Sequence, residues 1–216
     1  LLLAAARRVT EGEHYLRAGE WRRWRYDMFA GAEVHGSTLG ILGMGRIGQA
    51  IARRGAMGFE MHVIYHNRSR LAPDVEAHSC ARYVGKEELL RSADHLVLVL
   101  PYSQQSHHAI GAAELAMMKS TATLVNIARG GIVDDLALAD ALGHGRLAAA
   151  GLDVFEGEPT VHPELLALKN VVLTPHIASA TIPTRKAMAM LAAENLIGFL
   201  LLGQPVAPLN PQVLGC

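Results

Sequence analysis

Gly43-Met44-Gly45-Arg46-Ile47-Gly48 stands directly after an apolar run, Leu39–Leu42, and directly before Gln49-Ala50-Ile51-Ala52-Arg53-Arg54, which continues as a helix. A strand, a tight turn and a helix in that order is the setting in which G-x-G-x-x-G carries a mechanism. Gly43 permits the turn, Gly45 lets the backbone approach a pyrophosphate, and Gly48 lets helix and strand pack closely. The anion then rests on the free N–H groups and the positive dipole end of the new helix. Glycines at this spacing also occur in ordinary turns; the flanking strand and helix are what favour dinucleotide binding.

Three later segments place polar groups just past apolar runs. Asn126-Ile127-Ala128-Arg129-Gly130-Gly131 carries Arg129, Asp153-Val154-Phe155-Glu156-Gly157-Glu158-Pro159 carries Asp153 and Glu158, and Thr174-Pro175-His176-Ile177-Ala178-Ser179 carries His176. Taken singly, each has a plain reading: a surface charge, a turn residue before proline, a satisfied polar side chain. Taken together they occupy three successive strand ends downstream of a nucleotide motif. In open α/β sheets the ligand lies outside the carboxyl ends of the strands, so these loops are expected to converge near the dinucleotide.

The second strand of such a fold ends about 20 residues past the last glycine, where an acid would grip the ribose 2′-OH of NAD. Here Met61–Tyr65 runs into His66-Asn67-Arg68-Ser69-Arg70, with no carboxylate. Arg68 can pair with a 2′-phosphate through charge-assisted bonds, and Arg70 and the Ser69 hydroxyl can add to that pocket. NADP(H) is therefore expected to be preferred, with NAD(H) still possible. The competing reading is a solvated basic turn.

The elements that must position these groups follow from the apolar pattern. Leu39–Leu42, Met61–Tyr65, Leu96–Leu100, Leu124–Ile127, Ala149–Val154 and Val171–Leu173 read as strands. Helical stretches lie between them, near Arg46–Met57, Lys86–Ser92, Ala112–Lys119 and Leu136–Leu142. Strands alternating with helices imply a doubly wound parallel sheet covered on both faces. A helix is expected from Leu1 to about Ala18, followed by a loop with Trp21 and Trp24 that runs to His35. A last helix is expected from about Thr184 to Leu202, then an extended tail, Gln204–Cys216. This divides the chain into a dinucleotide-binding domain over 1–183 and a C-terminal segment, 184–216, of a second domain that is mostly absent.

Composition bounds the partners. The 216 residues are 50% hydrophobic and 19% charged with a net charge of zero, which fits a soluble globular chain with a substantial core. No general basic field draws it toward nucleic acid or anionic lipid. Two cysteines, Cys80 and Cys216, make no disulfide framework, so a cytoplasmic setting is expected. Leu1-Leu2-Leu3-Ala4-Ala5-Ala6-Arg7-Arg8 has no initiator Met and reads as the middle of a helix, which points to a fragment. His107-His108 and His78-Ser79-Cys80 offer too few neighbouring ligands for a structural metal, and no metal is expected.

On these motifs the chain resembles the D-2-hydroxyacid dehydrogenase family, and within it the glyoxylate/hydroxypyruvate reductases, including those that reduce 2-ketogluconate. The likeness runs from Leu1 to about Pro211 and also rests on Gly151-Leu152-Asp153-Val154-Phe155, Pro175-His176-Ile177 and Ser179-Ala180-Thr181. It implies hydride transfer to a small 2-keto acid, with His176 as the acid–base residue, Glu158 as its carboxylate partner and Arg129 as the substrate anchor. Elementary chemistry suits those roles: Glu158 holds one imidazole nitrogen so that a proton stays available on the other, and Arg129 can grip a carboxylate and polarise a carbonyl.

The same resemblance puts cofactor contacts at Gly43, Gly45, Arg46, Ile47 and Gly48, and at Asn67, Arg68 and Ser69. Further contacts fall at Leu100, Pro101 and Ser106, and at Ile127, Ala128 and Arg129. Asp153 would orient the nicotinamide carboxamide, with His176 and Ala178 closing the list. A loop with Trp21, Trp24 and Phe29 is too apolar to face water, so the first helix and the Trp21–Phe29 loop are expected at a homodimer interface, the competing reading being packing onto the missing domain. Two departures stand out. The family's substrate domain is made mainly of N-terminal residues that this sequence does not contain, and Met28 stands where close relatives carry a Trp. Two alternatives remain: a nucleotide-sensing corepressor-like scaffold of the same fold, or a dehydrogenase for another acid such as phosphoglycerate or formate. Formate enzymes of this fold pair the His with Gln, which Glu158 counts against.

Overall fold

Seven apolar segments form one parallel sheet in the computed structural model, which describes residues 1–213. They are β1 Thr38–Leu42, β2 His62–His66, β3 Ala81–Tyr83, β4 His95–Leu98, β5 Thr123–Asn126, β6 Ala149–Leu152 and β7 Val171–Leu173. The order is β3-β2-β1-β4-β5-β6-β7, so the winding reverses between β1 and β4. That reversal opens the crevice at which doubly wound sheets bind ligands.

Alternate strand residues face opposite layers. Leu39, Ile41, Val63, Val97 and Val125 build one core with Met61, Tyr65 and Ala52. Leu96, Leu98, Leu124 and Leu152 build the other with Leu89, Leu90, Leu115, Leu138 and Leu142. Burial on both faces is why these strands lack polar alternation. The covering helices are α3 Arg46–Phe59, α4 Pro73–Ser79, α5 Lys86–Ser92, α6 Ala112–Met117, α7 Asp135–Gly143 and α8 Pro163–Ala167, preceded by α1 Leu2–Ala6 and α2 Val9–Arg17.

The single N-terminal helix expected from the sequence is two helices. Arg8 adopts the left-handed region at φ +52°, and the Ala6 carbonyl, instead of continuing the helix, accepts the Ala32 N–H at 2.8 Å. Arg8 also reaches Glu11 through two bonds of 2.8 Å. The pair α4–β3 and the short α8 had no counterpart in the sequence reading: Arg82 interrupts the three residues of β3, so no apolar run marks it, and α4 and α8 have too few apolar positions in seven and five residues to show a helical period. β4 ends at Leu98, and Val99 and Leu100 already belong to the loop that follows.

The chain divides into two compact units, Leu1–Pro175 and a second that begins at His176. The second is α9, Ile182–Leu202, and the tail beyond it. Thr181 caps α9 by accepting the Thr184 N–H at 3.2 Å, and Gly203 ends it at φ +65°. Ala207 N–H donates to Asn195 Oδ1 at 2.7 Å, returning the tail to its helix. Pro211–Val213 form a 3-10 turn where an extended tail was expected. α9 buries none of its residues. No helix among the described residues is long and apolar enough to cross a membrane. Cys80 is an exposed free thiol; Cys216 lies outside the described residues.

Candidate functional site

The glycine motif has the geometry that its spacing implied. Gly43 sits at φ +101°, and a Cβ there would come within 2.8 Å of the Leu100 nitrogen and the Val99 carbonyl carbon. A Gly48 Cβ would lie 2.4 Å from the Gly43 carbonyl oxygen. The turn therefore closes only without side chains at both positions. Around Gly45, by contrast, the Cβ position meets nothing within 4 Å, and Ile47, in the first turn of α3, is 63% exposed. Bare N–H groups at an open helix start fit a pyrophosphate.

The end of β2 is tied to this turn. Met44 N–H donates to Asn67 Oδ1 at 2.6 Å, and Gly43 N–H to the His66 carbonyl at 3.0 Å. Asn67 thus sets the distance between the glycine turn and the basic segment. Arg68 and Ser69 are exposed. Arg70 behaves differently from the expectation that it adds to a phosphate pocket: its guanidinium grips Glu76 through bonds of 2.9 and 2.8 Å. Glu76 also accepts the hydroxyl of the fully buried Tyr65 at 2.6 Å. Arg70 first, then Tyr65, holds the Glu76 carboxyl down to about 2. Burial, then the bond to Glu76, pushes Tyr65 up to about 12. A segment fastened at Tyr65, Asn67 and Arg70 leaves Arg68 as its outward cation.

Past β4, Leu100 is half-buried and Pro101 exposed. Ser106 is buried, and its hydroxyl donates to the Pro101 carbonyl at 3.0 Å and accepts the Ser103 N–H at 2.7 Å. It organises its own loop. Past β5, Asn126 is buried; its Oδ1 accepts the Ala128 N–H at 3.0 Å and its amide donates to the Arg129 carbonyl at 3.2 Å. Ile127 is half-buried, Ala128 buried and Arg129 exposed.

Past β6, Asp153 is 1% exposed, and its carboxylate accepts the Thr174 hydroxyl at 2.5 Å. Glu158 Oε1 accepts the Phe155 N–H at 2.9 Å, and Glu156 N–H donates to Asp135 Oδ2 at 3.1 Å. Burial raises the Asp135 carboxyl. A Cβ on Gly130 would fall 1.7 Å from the Phe155 carbonyl oxygen, so the loops bearing Arg129 and Glu158 touch backbone to backbone. His176 opens the second unit at φ +53°, and Ala178 follows two residues on.

Sequence reading missed the parts that hold these loops: Asn126, Gly130, Asp135 and the Tyr65–Glu76–Arg70 cluster. Asn126 and Gly130 lie inside a motif already singled out, whereas the partners of Glu76 and Asp135 are set only by the fold.

Residues 1–178 match the family model described as D-isomer specific 2-hydroxyacid dehydrogenase, NAD binding domain. The chain is 52% identical to the glyoxylate reductase of Thermococcus gammatolerans over 203 residues, covering 92% of this chain and 60% of that protein. It is 50% identical to the glyoxylate reductase of Thermococcus onnurineus over 218 residues, covering 99% and 65% respectively. Among solved structures, a glyoxylate reductase from Paecilomyes thermophila superposes with TM-score 0.88 at 40% identity, over 97% of this chain and 62% of that one. An NADPH-dependent glyoxylate/hydroxypyruvate reductase from Sinorhizobium meliloti, in complex with NADP and malonate, superposes with TM-score 0.87 at 35% identity, over 96% and 64%. The chain thus spans less than two thirds of the length of these relatives.

Proposed function

The chain belongs to the D-isomer-specific 2-hydroxyacid dehydrogenase family, which it matches through the NAD-binding domain, and from that premise we propose that it serves the NADPH-dependent reduction of small 2-keto acids. Glyoxylate and hydroxypyruvate are the first substrates of this reading, and 2-ketogluconate is a further one. The observation that carries the cofactor choice is Arg68, exposed on a segment that Asn67 ties to the glycine turn at 2.6 Å. A guanidinium there complements a 2′-phosphate, where a carboxylate would repel it. The relatives named as glyoxylate reductases support the substrate class.

The bound nicotinamide supplies the hydride. Arg129 grips the substrate carboxylate and polarises the keto group. His176 gives its proton to the carbonyl oxygen as the keto carbon is reduced, leaving a 2-hydroxy acid and a neutral imidazole. Glu158 holds that imidazole in orientation, and Asp153 orients the carboxamide. In this reading Gly43, Gly45, Arg46, Ile47 and Gly48 cradle the pyrophosphate, and Leu100, Pro101, Ser106, Ile127, Ala128 and Ala178 line the remainder of the cofactor. The Trp21–Phe29 loop, in which Trp24 is 73% and Tyr26 93% exposed, is proposed as part of a homodimer interface, because exposed apolar surface of this kind marks contacts.

Steady-state assays on the full-length protein with glyoxylate, hydroxypyruvate, 2-ketogluconate and phosphohydroxypyruvate, each with NADPH and NADH, test the proposal. The expected result is highest kcat/KM for glyoxylate or hydroxypyruvate with NADPH. Tight NADPH binding without turnover of any of the four acids would instead assign the scaffold role.

A further inference from the structure

We propose that His107, His108 and Glu156 form a binding site for a divalent transition-metal ion of the zinc class, which clasps the loop after β4 to the loop that carries Glu158. One ligand atom from each of the three lies within 4.8 Å of the others. His108 Nε2 is 2.9 Å from Glu156 Oε2. The His107 ring stacks on the His108 ring, 3.9 Å between centroids and 21° between planes, so ligation requires the exposed His107 side chain to rotate until its nitrogen and that of His108 point at one ion. The sequence shows only the adjacent histidines; the fold brings the carboxylate in from 48 residues away.

Two imidazoles and a carboxylate make a donor set for zinc and its neighbours, with a fourth position left for water. Magnesium and calcium, which take oxygen ligands, fit it poorly. The surroundings also suit ligation. Asp134 Oδ2 stands 3.8 Å from His108 Nδ1, beyond hydrogen-bond distance but near enough to close on it as the outer carboxylate of a metal-binding imidazole. Tyr102 Oη lies 3.2 Å from His107 Nδ1. Gly131, at φ +73°, leaves the wall of the cluster bare: a Cβ there would come within 3.3 Å of His107 Nδ1 and 3.7 Å of Glu156 Oε1. His108 itself is held at φ +47°, with its N–H on the Gly131 carbonyl at 2.7 Å. Strain at a non-glycine residue persists where surroundings impose it and is concentrated at ligand clamps and switch regions.

An ion here would tie Gly131, two residues from Arg129, and Glu156, two residues from Glu158, to a common anchor. The competing account is an ion pair of His108 with Glu156 and Asp134 that needs no metal.

Isothermal titration of the chelator-treated full chain with zinc chloride separates the two. The expected result is one saturable site per chain. His107→Ala and Glu156→Gln should each weaken it by more than the roughly 10–100-fold that loss of an outer partner costs, while His78→Ala, at an exposed imidazole elsewhere, should leave it unchanged. Electron paramagnetic resonance of the copper(II) form should show two nitrogen ligands, falling to one in His107→Ala. Circular dichroism verifies that each variant is folded. No saturable binding at submillimolar zinc overturns the proposal, as does binding that His107→Ala and Glu156→Gln leave intact.

Discussion

The missing Cβ of Gly130 marks a point 1.7 Å from the carbonyl oxygen of Phe155, so the loop after β5 and the loop after β6 are in backbone contact beside Arg129 and Glu158. No side chain fits between them.

Gly130→Ala should therefore act on both stability and turnover. Overpacking of this kind costs about 1–3 kcal/mol or more, which for a domain of this size lowers Tm by roughly 2–4 °C per kcal/mol. Because the clash separates the two loops and leaves the glycine turn alone, kcat/KM should fall while NADPH affinity stays within a few-fold. Fluorescence titration of NADPH beside steady-state kinetics checks this. Wild-type kcat/KM in a destabilised variant would show that the spacing of the two loops does not matter to the reaction.

The basic segment after β2 supports a paired test. Arg68→Ala removes an outward cation, and loss of a charge-assisted bond, about 1.5–3 kcal/mol, should weaken NADPH by roughly tenfold or more and scarcely touch NADH. Arg70→Ala removes the partner of Glu76, so it should lower Tm with little change in the ratio of NADPH to NADH affinity. Selectivity lost through Arg70 rather than Arg68 would reverse the assignment.

Acid stability should carry the mark of Glu76. Its carboxyl, at 4.5 as a free group, is held down to about 2 by Arg70 and Tyr65. A depressed carboxylate stabilises the fold above its unfolded value, and that contribution is lost as pH falls through the folded one. The stability gap between wild type and Glu76→Gln should thus be full near neutrality and shrink between about pH 4.5 and 2. At the other extreme Tyr65 ionises at about 12 when folded and near 10 when free, so its contribution declines as pH rises from 10. Thermal melts across these ranges, with Tyr65→Phe as the second variant, measure both.

His176→Ala should lower kcat by on the order of 10²–10⁴-fold, the range for a positioned acid–base group, with cofactor affinity kept within a few-fold. Glu158→Gln should produce a smaller loss in kcat, since it removes an orienting charge and leaves the imidazole present. Rates within tenfold of wild type for His176→Ala would move the proton transfer elsewhere.

Light scattering on the full-length protein should report a homodimer, and Trp24→Ser, at a residue 73% exposed in this chain, should shift it toward monomer. A monomeric wild type would dismiss that interface.

Much of this protein could be read in one dimension. The glycine turn, six of the seven strands and the positions of Arg129, Asp153, Glu158 and His176 at strand ends depend on local pattern, because turn closure, both-face burial and strand termination are decided within a dozen residues. The strand order was implied only as a class; its reversal between β1 and β4 is a matter of pairing between segments. The break at Arg7–Arg8 comes from a carbonyl claimed by Ala32, a partner that no helical period announces. Arg68 and Arg70 look alike in sequence, yet Glu76 takes one and leaves the other. Likewise His107-His108 gains a carboxylate from 48 residues away, and Gly130 gains its necessity from Phe155. Local sequence determined which groups sit at the carboxyl edge of the sheet. Tertiary structure decided which of them are already engaged and which remain turned outward, because hydrogen-bond partners and close approaches between loops belong to the packed chain and not to any one segment.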